Sequence, residues 1–169
     1  MKNIKNNNYS FLTELSKICE QLLKTKDRII VCVTGKSGVG KSTFGKYVRK
    51  NGFGKFSKYK ISVIDDSVMS LDLFYLFNKR VRAKSKVRDE LKPFFERLPN
   101  RKKIVFYVNT TPERRLSCSD LIINLVLKDE DERIVRLKKR GESICEAHFI
   151  DSANARKNIS HEYFFEFQV

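Results

Sequence analysis

Apolar positions early in the chain recur at helical intervals. In residues 10 to 24, SFLTELSKICEQLLK, the side chains Phe11, Leu15, Ile18 and Leu22 stand three and four apart, and Leu12, Cys19 and Leu23 widen the same stripe. This spacing predicts an amphipathic helix packed on the rest of the chain, with Ser10 as its N-cap. The period then changes. RIIVCVT is continuously apolar and rich in β-branched residues, the pattern of a strand buried on both faces, and ISVI, KIVFYVN and DLIINLVL repeat it further along.

Between these strands the pattern returns to helix. KSTFGKYVRK follows the first strand, and DEDERIVRLKKRG follows the fourth, acidic in its first turn, basic in its last, with Gly141 at its stop. Helical segments are expected over much of residues 68 to 98, ending before Pro99 and Asn100. NGFGKFSKY reads as a turn region, TTPERRLSCS as a connection or short helix, and EYFFEFQV as a closing strand. Alternating strands and helices predict an α/β fold: three layers, with a parallel sheet of about five strands covered by helices on both faces. No repeat or long linker interrupts the 169 residues, so one domain over 1–169 is expected, with 1–27 forming the helical segment packed on it.

One stretch carries chemistry beyond packing. GKSGVGKS, Gly35 through Ser42, fits G-x-x-x-x-G-K-[ST] with a strand before it and a helix after it, the context this phosphate-binding loop requires. Gly35, Gly38 and Gly40 let the backbone wrap so that several N–H groups, including those of Lys36, Ser37 and Val39, converge on phosphate oxygens. The helix that begins at the loop adds about half a positive charge at its N-terminus. Lys41 is placed to reach the β and γ phosphates, Ser42 to ligate Mg2+, and Thr43 to touch the α phosphate. The expected cofactors are ATP and Mg2+.

Two further clusters bear on what happens to the triphosphate. Asp65 and Asp66 follow ISVI at the carboxyl end of a strand, where ligands bind in open α/β sheets. One of them is a candidate base for an acceptor hydroxyl, and Asp66 a candidate holder of Mg2+ through water; a helix cap plus a turn residue is the alternative. In the helix 129 to 141, Arg133, Arg136 and Arg140 are three and four apart and are read as one face, opposite Ile134 and Leu137. They fit a phosphate clamp. They fit equally well a solvated face paired with Asp129, Glu130 and Glu132.

The N-terminal helix, RIIVCVT, GKSGVGKST, the strand ending VIDD and the fourth strand followed by DERIVRLKKRG occur in the order found in uridine-kinase-like members of the P-loop kinases, which this chain resembles over most of residues 10 to 141. The resemblance implies a P-loop NTPase fold and an ATP- and magnesium-dependent kinase acting on a hydroxyl of a small, nucleoside- or nucleotide-like acceptor. It matches Asp65 or Asp66 to the base, with Lys41 and Arg136 as further catalytic groups. It also matches Arg133, Arg136 and Arg140 to the arginines beside the lid over ATP. The chain departs from the family after the third strand, where Asn109, Thr110 and Thr111 replace a commonly acidic position.

Charge and cysteines fill in the surroundings. A net charge of +15 draws polyanions, so nucleic acid stands as a second candidate partner, with a polynucleotide 5′-hydroxyl as an alternative acceptor. A non-catalytic nucleotide-binding protein is the third reading. Cys19, Cys32, Cys118 and Cys145 lack metal-ligand spacing and read as reduced core thiols. No apolar run approaches the ~20 residues that cross a bilayer, and MKNIKNNNYS has no signal-peptide core, so a cytoplasmic location is expected.

Overall fold

The computed structural model describes residues 4–65, 70–73, 77–80, 89, 91–139, 141 and 153–169. Five helices are described: α1 (Ile4–Leu22), α2 (Lys41–Asn51), α3 (Lys92–Glu96), α4 (Glu130–Lys139) and α5 (Ala153–Asn158). The strands are β1 (Ile29–Thr34), β2 (Ile61–Asp65), β3 (Ser70–Leu73), β4 (Phe77–Arg80), β5 (Ile104–Val108), β6 (Leu121–Val126) and β7 (Tyr163–Gln168). Five strands form one sheet in the order β2-β5-β1-β6-β7, every neighbouring pair parallel. The expected α/β architecture, a parallel sheet between two helical layers, is the one observed.

Strand alternation sorts the apolar residues into two cores. Ile29, Val31 and Val33 of β1 point to one side, with Ile104, Phe106 and Val108 of β5 and Leu121, Ile123 and Leu125 of β6. There they meet Phe11, Leu15, Cys19 and Leu22 of α1 and Val48 of α2. Phe11 stacks on Phe167 of β7 with ring centroids 4.0 Å apart. Cys32, Val105, Tyr107 and Ile122 face the other side, against Phe95 of α3, Leu116, Ala155 of α5 and Ile159. Both faces of β1, β5 and β6 are thus covered, which is why their sequences read as unbroken apolar runs.

Two local expectations are corrected. Helix α1 begins at Ile4, so Ser10 lies inside it and is not its cap. Within 68 to 98, β3 and β4 form an antiparallel pair, Ser70 opposite Arg80 and Leu73 opposite Phe77, and the helical piece described is the short α3, with Pro93 in its first turn. The sequence Ser70-Leu71-Asp72-Leu73 alternates with period two, which suits a strand better than a helix. Cys19 and Cys32 are buried free thiols and Cys118 is a half-buried one, while Cys145 lies outside the described residues. Burial pushes the Cys19 thiol up to about 12, with Asp120 and Glu20 adding to it. Among the described residues no helix is long and apolar enough to cross a membrane.

Candidate functional site

Where β1 ends, between its neighbours β5 and β6, the chain must turn sharply to enter α2. Glycine permits it. Gly35, Gly38 and Gly40 have φ of +139°, +89° and +103°, values L side chains rarely adopt. A Cβ on Gly35 would stand 2.4 Å from the carbonyl oxygen of Leu125, so β1 can leave beside β6 only without a side chain there. Gly40 takes the left-handed conformation at the α2 N-cap with open space around it. The loop curls around the Lys41 ammonium, which donates to the carbonyls of Gly35 at 2.7 Å and Lys36 at 2.8 Å. Ser42 and Thr43 occupy the first turn of α2, which contains no acidic residue. On β1, the Thr34 hydroxyl donates to Thr110 O at 3.2 Å, tying the mouth of the loop to the segment after β5.

Helix α4 packs directly on this loop. Its N-terminus is capped by Asp129, whose carboxylate accepts from the N–H groups of Asp131 at 2.9 Å and Glu132 at 3.2 Å. Arg133 is fully buried. Its Nε and Nη2 donate to the two Glu130 oxygens at 2.9 and 2.5 Å, a bidentate pair, while Nη1 donates to Ser37 O at 2.8 Å. Lys36 of the loop stands 3.7 Å from the same Glu130 carboxylate. The Arg133 guanidinium holds the Glu130 carboxyl below its usual range, and Lys36 adds to the effect. A Cβ on Gly38 would press on Arg133 and Leu137, so the second glycine is where α4 seats against the loop. Beside this junction lies a small cleft lined by Lys36, Val39, Leu125, Val126, Leu127, Glu130 and Arg133.

The arginines therefore do not share one face. Arg133 lies on the buried side with Leu137, one turn away, where Gly38 leaves room for its aliphatic stem and for the Leu137 side chain. Arg136 lies toward solvent and donates to Glu132 at 2.7 Å. Arg140 falls outside the described residues. The expected pairing of this helix with Glu130 and Glu132 is what these two arginines adopt.

Across the carboxyl edge of the sheet, Asp65 is in register with Val108 of β5, and Val108 with Val33 of β1. Two strand spacings separate Asp65 from β1, about 10 Å. Asp65 has the parity of Ile61 and Val63, and Val63 packs against Gly45 of α2, so the carboxylate is on the sheet face that α2 covers. Asp66 falls outside the described residues. Asn109, next after β5, donates from Nδ2 to the Tyr107 hydroxyl at 2.8 Å and accepts at Oδ1 from Thr111 N–H at 3.0 Å. A carboxamide thus stands where the resemblance led one to expect an acid.

A family model described as an AAA domain matches residues 31–155, from β1 into α5. The chain belongs to this AAA-domain family. It is a family of the P-loop NTPase type, one that includes kinases. No curated protein matches the chain.

For an AAA-domain P-loop the geometry around Gly35 to Ser42 fits a polyphosphate: three left-handed glycines, a lysine inside the curl and a helix N-terminus that is free of carboxylates. Among the described residues no three or more His, Cys, Asp or Glu gather as a metal cage. The Ser42 hydroxyl in the first turn of α2 is a donor of the kind Mg2+ takes beside phosphate oxygens and waters. The loop residues stand together around Lys41, and Glu130, named in the sequence as a pairing partner of this helix, meets Arg133 at i, i+3. The sequence did not point to Leu125. Leu125 contributes only a carbonyl, for which side-chain identity carries no signal.

Proposed function

We propose that the chain is an ATP-dependent kinase that moves the γ-phosphoryl group to a hydroxyl of a small nucleoside- or nucleotide-like acceptor. The observation that carries this reading is the pairing, on one edge of the sheet, of the lysine-centred glycine loop with Asp65 two strands away on the α2 side. The strands that carry them lie about 10 Å apart, so both groups face the same end of the sheet, where a bound γ-phosphate and an acceptor hydroxyl would meet. In the proposed step Asp65, or its neighbour Asp66, takes the acceptor O–H proton. The freed oxygen pair forms the new bond to γ phosphorus, and the bond from γ phosphorus to the β–γ bridging oxygen breaks, its electrons leaving on ADP.

Lys41 and the loop N–H groups hold the phosphates and offset the charge that develops on the leaving oxygen. Ser42 would hold Mg2+, which when bound neutralises the β and γ oxygens; Asp66 is the proposed water-mediated second holder. Arg136, toward solvent at the edge of α4, is proposed to reach the phosphates by exchanging its Glu132 partner for them. Arg140, outside the described residues, is proposed as a further phosphate contact. Arg133 has a different proposed role, holding the loop through Ser37 and Glu130. A cytoplasmic location remains part of the proposal.

Asn109 favours a second reading, a nucleotide-binding protein without transfer activity, because an amide engaged with Tyr107 and Thr111 replaces an acid. The two are separated by incubating the protein with labelled ATP, Mg2+ and a pool of nucleosides, nucleotides, cofactor precursors and short oligonucleotides. Transfer of label to one acceptor, abolished in Lys41→Ala, supports the kinase. Tight ATP binding with no labelled acceptor and no released phosphate supports the second reading.

A further inference from the structure

The charge of the chain is not spread evenly. Residues 28 to 64 contain nine basic residues and no acidic one. Some of these serve the loop or are paired, as Lys55 is with Glu20 at 3.3 Å. Four others, Lys46, Lys50, Lys58 and Lys60, are exposed, and they lie on two elements packed against each other, α2 and the 3-10 turn Lys58–Lys60. On α2, Lys50 stands four positions from Lys46 and three from Tyr47, so the three form one outward face. Among the described residues three large apolar side chains are conspicuously exposed, and two of them are here: Tyr47 at 48% and Tyr59 at 53%. Lys58 Nζ lies 5.4 Å from the centre of the Tyr59 ring.

Lysines alone would be explained by solvation. Two tyrosines about half exposed among them are less simply explained, since a ring of that size ordinarily buries more of its surface. Positive charge interleaved with exposed aromatic rings is the arrangement that holds phosphates while bases stack. A lipid surface fits less well. The apolar side of α2, with Val48 and Phe44, is already packed into the core, which leaves no apolar face to enter acyl chains. A duplex fits less well too, because its bases are already stacked and paired.

We propose that the outer face of α2 and the adjoining 3-10 turn form a docking surface for single-stranded nucleic acid, with Tyr47 and Tyr59 stacking on bases and Lys46, Lys50, Lys58 and Lys60 holding phosphates. The surface lies outside the phosphate loop and does not depend on which acceptor the site uses. The test is therefore run without ATP. Fluorescence anisotropy of a labelled 20-nucleotide single strand is measured across a salt series for wild type, Tyr47→Ala/Tyr59→Ala, Tyr47→Phe/Tyr59→Phe and Lys46→Glu/Lys58→Glu. A control, Lys17→Glu/Lys24→Glu, reverses two exposed charges on and just after α1. Circular dichroism checks that each variant is folded.

The expected result is a loss of about 5- to 100-fold per tyrosine removed, retention in the phenylalanine pair, and a salt slope lower by about 0.7 for each phosphate that Lys46 or Lys58 no longer holds. The proposal is overturned if the alanine pair binds like wild type, or if the control weakens binding as much as Lys46→Glu/Lys58→Glu. Equal affinity for duplex and single strand overturns it as well. So does binding to phosphatidylserine vesicles without binding to the oligonucleotide.

Discussion

The seating of α4 on the phosphate loop makes an asymmetric prediction about two residues of one ion pair. Arg133 is fully buried, whereas the Glu130 side chain is 45% exposed. Glu130→Ala leaves a guanidinium inside the protein without its carboxylate. Removing one member of a buried pair costs about 3–5 kcal/mol, and the partial exposure of Glu130 places the expected value near the lower end, about 3 kcal/mol. Arg133→Met instead removes the buried charge, fills much of its volume, and returns Glu130 to water. What it loses is the bond to Ser37 O, about 1–2 kcal/mol. The order of destabilisation is therefore Glu130→Ala above Arg133→Met. The double variant Glu130→Ala/Arg133→Met should be more stable than Glu130→Ala alone, by about 1 kcal/mol.

Urea unfolding followed by circular dichroism reads these differences, and thermal melts should show about 6–12 °C lost in Glu130→Ala for a chain of this size. Glu132→Ala is the internal control: it frees only Arg136, 38% exposed, and should cost less than about 1 kcal/mol. If Glu130→Ala is no worse than Glu132→Ala, or if the double variant is no better than Glu130→Ala, the pair does not hold α4 on the loop and the reasoning fails.

Further outcomes follow from the same geometry. Asp65→Ala should lower phosphoryl transfer by about 10²–10⁴-fold with ATP affinity nearly unchanged, as measured by initial rates and calorimetry; unchanged transfer in both Asp65→Ala and Asp66→Ala would remove the assigned base. Gly40→Ala, strained in φ but with open space around its Cβ, should cost about 1–2 kcal/mol, while Gly35→Ala adds a collision with Leu125 O and should cost clearly more in urea unfolding. Because Arg133 holds the Glu130 carboxyl below its ordinary value of 4.5, its contribution is present above that pH and lost as pH falls through the lower, folded value. Urea midpoints measured from pH 6 to 3 should therefore fall less steeply in Glu130→Ala than in wild type.

How much of this was legible beforehand differs by element. β1, β5 and β6 were readable as buried strands because helices cover both their faces, so no polar alternation blurs the run. The phosphate loop was readable because its glycines answer to local backbone needs, positive φ and a carbonyl 2.4 Å from a Cβ on Gly35. Arg133 was not. Helical spacing alone puts it in a row with Arg136, and what the sequence hides is the close approach of its Cγ and backbone to Gly38, a residue with no side chain, ninety-five positions earlier. The β3–β4 ribbon was missed for a related reason: four-residue strands offer too few positions for period two to outweigh a leucine-rich composition that suits helix. Likewise, the α1 start was misplaced because Ser10 is a good cap by chemistry, while the helix already runs from Ile4.

The most direct measurement is calorimetric titration of the protein with ATP and Mg2+, in wild type and in Lys41→Ala. The account predicts saturable binding at one site per chain, weakened at least tenfold when the ammonium inside the glycine curl is removed. No heat with ATP or GTP, or equal affinity in Lys41→Ala, would contradict it.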